Sequence, residues 1–202
     1  PQATRWERSK LPYDSGMELR ETTYLEFLST ENPVDAESGI LSGVKVIGFD
    51  SRNNRKYPES LLSKSAALYE GAKIYVNHPD RSDLGDRKFE SWAGVMRNPR
   101  FVPGKGIFAD AHLRKNSGFF EGIIEAAQKF PKETGFSHVA DGESKIDGET
   151  EIVESIREVF SVDLVCSPAT TAGFFESAMK TKSKKTVKEI AESLPEGHAT
   201  RK

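Results

Sequence analysis

The chain has 202 residues, 30% of them charged and 36% hydrophobic, with a formal net charge of −2 and a pI near 6.2. That length supports one domain with a real core plus polar extensions, and the charge balance does not ask for a polyanionic partner. No run approaches the roughly 18 apolar residues of a membrane span, the polar stretch from Pro1 to Lys10 does not read as a secretory signal, and a single cysteine, Cys166, excludes an internal disulfide and fits a reducing compartment.

Taken in order, residues 1–20 read as a polar arm with turn-forming Pro12, Asp14, Ser15 and Gly16. The folded domain is expected over 21–178. Thr23–Ser29 and Gly43–Phe49 alternate as strands do. Asp50–Arg55 is rich in turn residues. Pro58 sits where a helix over Glu59–Glu70 would begin, and Gly71 where it would end. Lys73–Asn77 is a strand that stops at His78-Pro79. Residues 80–90 form a charged loop. Trp92–Arg97 and Gly106–Leu113 are strands, with Asn98-Pro99 and Pro103-Gly104 as linkers. Asn116 or Ser117 is placed to cap a helix reaching Phe130. Strands follow at Thr134–Ala140, Ile152–Arg157 and Phe160–Val165. From 179 to 202 the chain is Lys-rich and reads as a tail or linker. Six or more short strands with two helices predict an α+β, mainly β fold, and a small barrel with peripheral helices is the expected architecture.

Several side chains are candidates for chemistry. His78 stands at a strand exit before Pro79, which biases it away from helix and makes a rigid mount for a base; the plainer reading is a turn histidine. Ser137 lies in Gly135-Phe-Ser-His-Val-Ala-Asp-Gly142, where glycines at both ends permit close backbone approach. It fits neither the Gly-x-Ser-x-Gly elbow nor the chymotrypsin-like run, and a strand serine bonded to backbone would carry the same sequence. His138 is its neighbour, but successive strand residues point to opposite faces, so the base for Ser137 must come from elsewhere. In Phe160-Ser-Val-Asp-Leu-Val165, Asp163 alternates with apolar residues and needs a partner if buried. Glu158 is its rival. His112 reads as a pairing residue within a strand, and His198 lies in the tail. One cysteine and four scattered histidines give no zinc spacing, so no cofactor or metal is expected.

These pieces together resemble a known family. From about Gly39 to Glu176 the chain is similar to the prohead (capsid maturation) proteases of tailed bacteriophages, whose fold is like that of the herpesvirus assembly protease. The likeness rests on an ordered set: Asn54-Arg-Lys-Tyr-Pro58, then Glu70-Gly-Ala-Lys-Ile-Tyr-Val-Asn-His-Pro79, then Trp92-Ala-Gly-Val95 and the strand beginning at Gly106. Gly135-Phe-Ser137 and Ser161-Val-Asp-Leu-Val165 with Pro168-Ala-Thr170 complete it.

The resemblance implies a serine endopeptidase with His78 as base and Ser137 as nucleophile. Some relatives carry Glu at the position of Ser161, which shares a face with Asp163. The orienting role therefore falls to Asp163, with Glu158 held in reserve. It also implies scaffold and major capsid protein as substrates, self-processing, and action in the host cytoplasm inside the assembling prohead. Herpesvirus relatives work as dimers, so a homo-oligomer is among the states it allows. A glutamate before the cut, with Leu or Ile two residues upstream, is preferred by some relatives and points to Glu196–Gly197 within Leu194-Pro-Glu-Gly197. Two other readings stay open: a catalytically silent protease fold that binds scaffold, and a binding module using Lys180, Lys182, Lys184, Lys185 and Lys188 on nucleic acid or scaffold. The acidic overall balance argues against nucleic acid.

Overall fold

A computed structural model describes residues 32–79 and 87–176. The arm over 1–20, the expected strand at Thr23–Ser29, the tail over 179–202, His198 and the Glu196–Gly197 bond lie outside the described residues. Within them, nine strands form one mixed sheet. In chain order they are β1 (Val34–Asp35), β2 (Ile40–Ile47), β3 (Asp50–Ser51), β4 (Arg55–Lys56), β5 (Lys73–Val76), β6 (Trp92–Val102), β7 (Gly106–Leu113), β8 (Gly135–Asp147) and β9 (Thr150–Val165). Helix α1 (Glu59–Ser65) tightens into a 3-10 turn at Ala66–Tyr69, and α2 spans Phe120–Lys129. Among the described residues, no helix is long and apolar enough to cross a membrane.

The strand order is β1-β2-β7-β6-β5-β9-β4-β3, with β8 added on β9. The sheet is therefore open, not the closed barrel expected from the strand count. Closure would need β2 to ladder with β8. The irregular run 168–175 fills that gap instead: Thr171 Oγ1 donates to the Phe136 carbonyl at 3.3 Å, and the Lys45 N–H donates to the Phe174 carbonyl at 2.9 Å. Phe174 is fully buried and meets Phe136 edge-on at 5.4 Å between ring centres. The bridge is thus held by apolar burial as well as by hydrogen bonds.

Most elements form where the local pattern places them, and the differences have identifiable physical causes. Gly71 ends the first helical segment at φ +75°, with its N–H on the Met96 carbonyl at 2.9 Å. Asn98-Pro99 is not a linker but a bulge inside β6. The register jumps from Arg97↔Asp110 to Arg100↔Phe108, Asn98 takes φ +51°, and Pro99 brings no donor to the ladder. The two strands expected at Ile152–Arg157 and Phe160–Val165 are one, because β8 runs alongside the whole length and absorbs mismatches in three bulges. One of them skips Phe160, since Val139 pairs with Ser161 and Ala140 with Val159. Phe160 consequently leaves the face of Val162 and Leu164 and is 52% exposed. Asn116 and Ser117 form the turn before α2, which starts at Phe120.

The core lies between one face of this sheet and the two helices. Leu62 and Tyr69 come from the first helical segment, and Ile123, Ile124 and Ala127 from α2. Val44, Val46, Ile74, Met96, Phe136 and Val162 come from the strands. Gly94 is needed where β6 meets β7, because a Cβ there would stand 2.2 Å from the His112 carbonyl oxygen. His112 itself pairs with Ile40 and Val95 across the two ladders.

Candidate active site

The register of three strands builds the site. β5 lies parallel to β9, and β8 lies antiparallel on the other side of β9. Side chains directly opposite each other share a face. Tyr75, Asp163 and Ser137 therefore form one row across the sheet. The next row, Ile74, Val162 and His138, points to the other face, which is the core face, with Ile74 and Val162 fully buried. Ser137 and His138 diverge as strand alternation requires.

His78 reaches the first row from the end of β5. The Asn77 N–H makes a last bond to the Leu164 carbonyl at 2.9 Å. Asn77 then adopts φ +64°, a left-handed conformation that asparagine tolerates better than most residues. The chain turns there, and His78 Nδ1 comes to 2.8 Å from Asp163 Oδ2. Asp163 is 0% exposed, whereas His78 is 46% exposed, so one end of the imidazole is anchored and the rest faces solvent. An ionised carboxylate only accepts hydrogen bonds, so Nδ1 carries the proton and donates. In the neutral ring Nε2 then holds the free lone pair that a general base needs.

Arg87 completes the environment of Asp163. Its guanidinium donates to Oδ2 at 3.2 Å and to Oδ1 at 3.1 Å. It also donates to the Asn77 carbonyl at 2.9 Å and lies over the Tyr75 ring, 4.2 Å from the centre. A buried carboxylate without such partners would be costly; here three N–H groups meet it. From the sequence, residues 80–90 are a charged loop. Nothing in residue type or spacing singled out Arg87 among its charged neighbours.

Ser137 is half-buried, and among the described residues its hydroxyl has no hydrogen-bond partner. The site brings His78 and Asp163 into contact and puts Ser137 beside Asp163 in the ladder. Glu158, the rival acid, is exposed and pairs in register with Asp141, away from this row. An open groove of about 710 Å³ lies next to this row, with Leu68, Tyr75, Val139, Val159, Phe160 and Arg87 in its walls; Ser137, His78 and Asp163 do not line it.

His138 has a different setting. Its Nδ1 lies 2.8 Å from the Tyr69 hydroxyl and its Nε2 3.0 Å from the Tyr57 hydroxyl. Tyr69 stacks on the ring and Tyr57 meets it edge-on. A neutral imidazole has one donor and one acceptor, which these two hydroxyls satisfy. Burial, then the electrostatic influence of Arg55 and of His78, pushes its pKa down to about 4. Burial likewise holds the Tyr69 hydroxyl protonated by raising its pKa. The clue was available in the alternation: a histidine between core-facing Phe136 and Ala140 must find buried partners. Among the described residues, no group of three His, Cys, Asp or Glu side chains is placed to hold a metal ion.

No protein-family model matches the chain, and no curated protein matches it. Among solved structures it is similar to the bacteriophage T4 capsid assembly protease, with 18% identity, 60% of this chain and 80% of that one covered, and a TM-score of 0.47. At that distance, the chemistry has to be argued from the side chains.

Proposed function

We propose that the protein is a serine endopeptidase of the prohead protease kind, with Ser137 as nucleophile, His78 as general base and Asp163 as the acid that orients it. The observation that carries this reading is the His78 Nδ1–Asp163 Oδ2 bond, made by a buried carboxylate whose ladder neighbour is Ser137. Directly opposed residues of an antiparallel pair have Cα atoms about 5 Å apart. Ser137 thus stands beside the carboxylate that holds His78. The ordered sequence segments that resemble the phage enzymes contain all three residues, and His78 and Ser137 fall at the positions the resemblance assigns to base and nucleophile.

In the mechanism, Nε2 of His78 accepts the hydroxyl proton of Ser137 as its oxygen attacks the scissile carbonyl. The tetrahedral intermediate collapses as the imidazolium gives that proton to the leaving amine, and an acyl-enzyme remains. Water, deprotonated by the same histidine, then releases the acid product. Asp163 stabilises the imidazolium in both halves and stays ionised. In this reading a Ser137–His78 hydrogen bond forms on substrate binding, as catalytic bonds often do. The substrates are scaffold and capsid-protein extensions, and cleavage takes place inside the assembling head.

A catalytically silent scaffold-binding protein is the second reading, and the unpartnered Ser137 hydroxyl favours it. Labelling with a fluorophosphonate probe separates the two. Wild type is expected to acquire one adduct, located on Ser137 by peptide mass spectrometry, while Ser137→Ala and His78→Ala acquire none. Folded wild-type protein that stays unlabelled in the presence of its scaffold would leave the silent reading standing.

A further inference from the structure

Arg87 stands out among the groups that the mechanism does not use. Its side chain is only 15% exposed, although arginine heads usually reach water. It spends its donors on three acceptors of the site, both Asp163 oxygens and the Asn77 carbonyl. Asn77 is the left-handed hinge that turns His78 back onto the sheet. Tyr75, the ladder neighbour of Asp163, supports the guanidinium from beneath.

The geometry points to Arg87 as a positioning residue: its guanidinium fork fixes the plane of the Asp163 carboxylate and clamps the Asn77 hinge, so that His78 presents Nε2 in one orientation. A planar fork with two parallel N–H groups restrains both carboxylate oxygens, which a point charge cannot do. Without it, Asp163 keeps one N–H donor out of three and is free to rotate about its side-chain bonds. The loss is felt as misalignment of the base, which is costly in rate at displacements near 1 Å.

Because this role rests on the proposed peptidase site, the test has two arms. The kinetic arm compares wild type, Arg87→Lys and Arg87→Ala for reaction with a peptide ester. In Arg87→Ala, kcat is expected to fall by up to about a hundredfold with KM nearly unchanged. Arg87→Lys keeps the charge but not the fork and recovers only part of the rate. Free guanidinium at millimolar concentration, admitted through the open groove, recovers Arg87→Ala but not Arg87→Lys. The second arm reads His78 without turnover, by following its ring signals against pH in the three proteins.

Among the described residues, the charged and titratable groups facing the His78–Asp163 pair are Arg87, Tyr75, Lys73 further along β5, and His138 through the sheet. Of these, only Arg87 changes. Removing a cation and leaving the carboxylate to His78 alone both favour the protonated ring, so the ring of Arg87→Ala holds its proton to higher pH than wild type. Arg87→Lys lies between. A raised KM at unchanged kcat would make Arg87 a substrate contact and overturn the proposal. A His78 titration identical in all three folded proteins would also overturn it. If the probe never labels Ser137 yet the titration shifts as expected, the peptidase reading fails while the clamp on His78 stands. Circular dichroism establishes folding, and Arg87→Gln replaces Arg87→Ala if that variant does not fold.

Discussion

Replacing Asp163 by Asn changes one oxygen for a nitrogen in a fully buried side chain and removes the charge that three N–H groups address. The amide has one acceptor oxygen and one NH2. If the oxygen takes His78, the NH2 meets an Arg87 N–H, donor against donor. If the oxygen takes Arg87, the NH2 faces His78 Nδ1 and forces the proton to Nε2, which can then no longer act as base. Arg87, 15% exposed, would be left with its charge unpaired in either case. Breaking a buried pair in this way costs about 3 kcal/mol or somewhat more, a large part of the stability of a domain this size. The wrong tautomer lowers the acylation rate by about 10⁴-fold, equivalent to roughly 5 kcal/mol of transition-state stabilisation. Urea unfolding reads the first figure, and the rate constant for fluorophosphonate labelling of the folded fraction reads the second. Labelling of folded Asp163→Asn at the wild-type rate would refute the assignment of Asp163 as the orienting acid. An unchanged urea midpoint would refute the claim that its charge is what Arg87 needs.

Two further outcomes are expected. His138 titrates near 4 in the folded chain against 6.5 for a free side chain, so between those pH values the unfolded chain binds a proton that the folded one does not. Stability therefore falls as pH is lowered from 6.5 to 4, by about 3 kcal/mol, and changes no further on this account below 4. The difference in urea midpoints between wild type and His138→Phe, followed across this window, should narrow accordingly, and a constant difference would contradict the buried neutral imidazole. Intact-mass measurement of wild type should show loss of the segment after Glu196 on standing, with Ser137→Ala remaining at full length; an active wild type that keeps its C-terminus would dismiss Glu196–Gly197 as a self-processing site.

Residue alternation and the breaker residues made much of this fold legible. Gly106–Leu113 appears with the expected ends, and Gly71 and Pro58 flank the first helical segment as their backbone preferences require. Alternation alone separated Ser137 from His138, since it acts between chain neighbours and needs no knowledge of the tertiary fold. The strand exit at His78-Pro79 was visible for the same reason, because the restriction a proline places on the residue before it is local. Bulges were not visible. Whether Phe160 stays in the row of Val162 and Leu164 depends on how β8 and β9 share a mismatch, and that is set by their pairing.

What the amino-acid sequence determined by itself is the mainly β character, the faces of the strands, and a short roster of residues able to do acid–base chemistry. The tertiary structure alone decided that the sheet stays open, since closure depends on how 168–175 packs between β2 and β8. It also chose Asp163 over Glu158 as the partner of His78 across 85 positions of chain, and it placed Arg87 on Asp163 and on the Asn77 carbonyl. Those choices follow from the parallel register of β5 on β9. That register is a non-local contact, selected by burying Ile74, Val76, Val162 and Leu164 together, and no property of the separate segments encodes it.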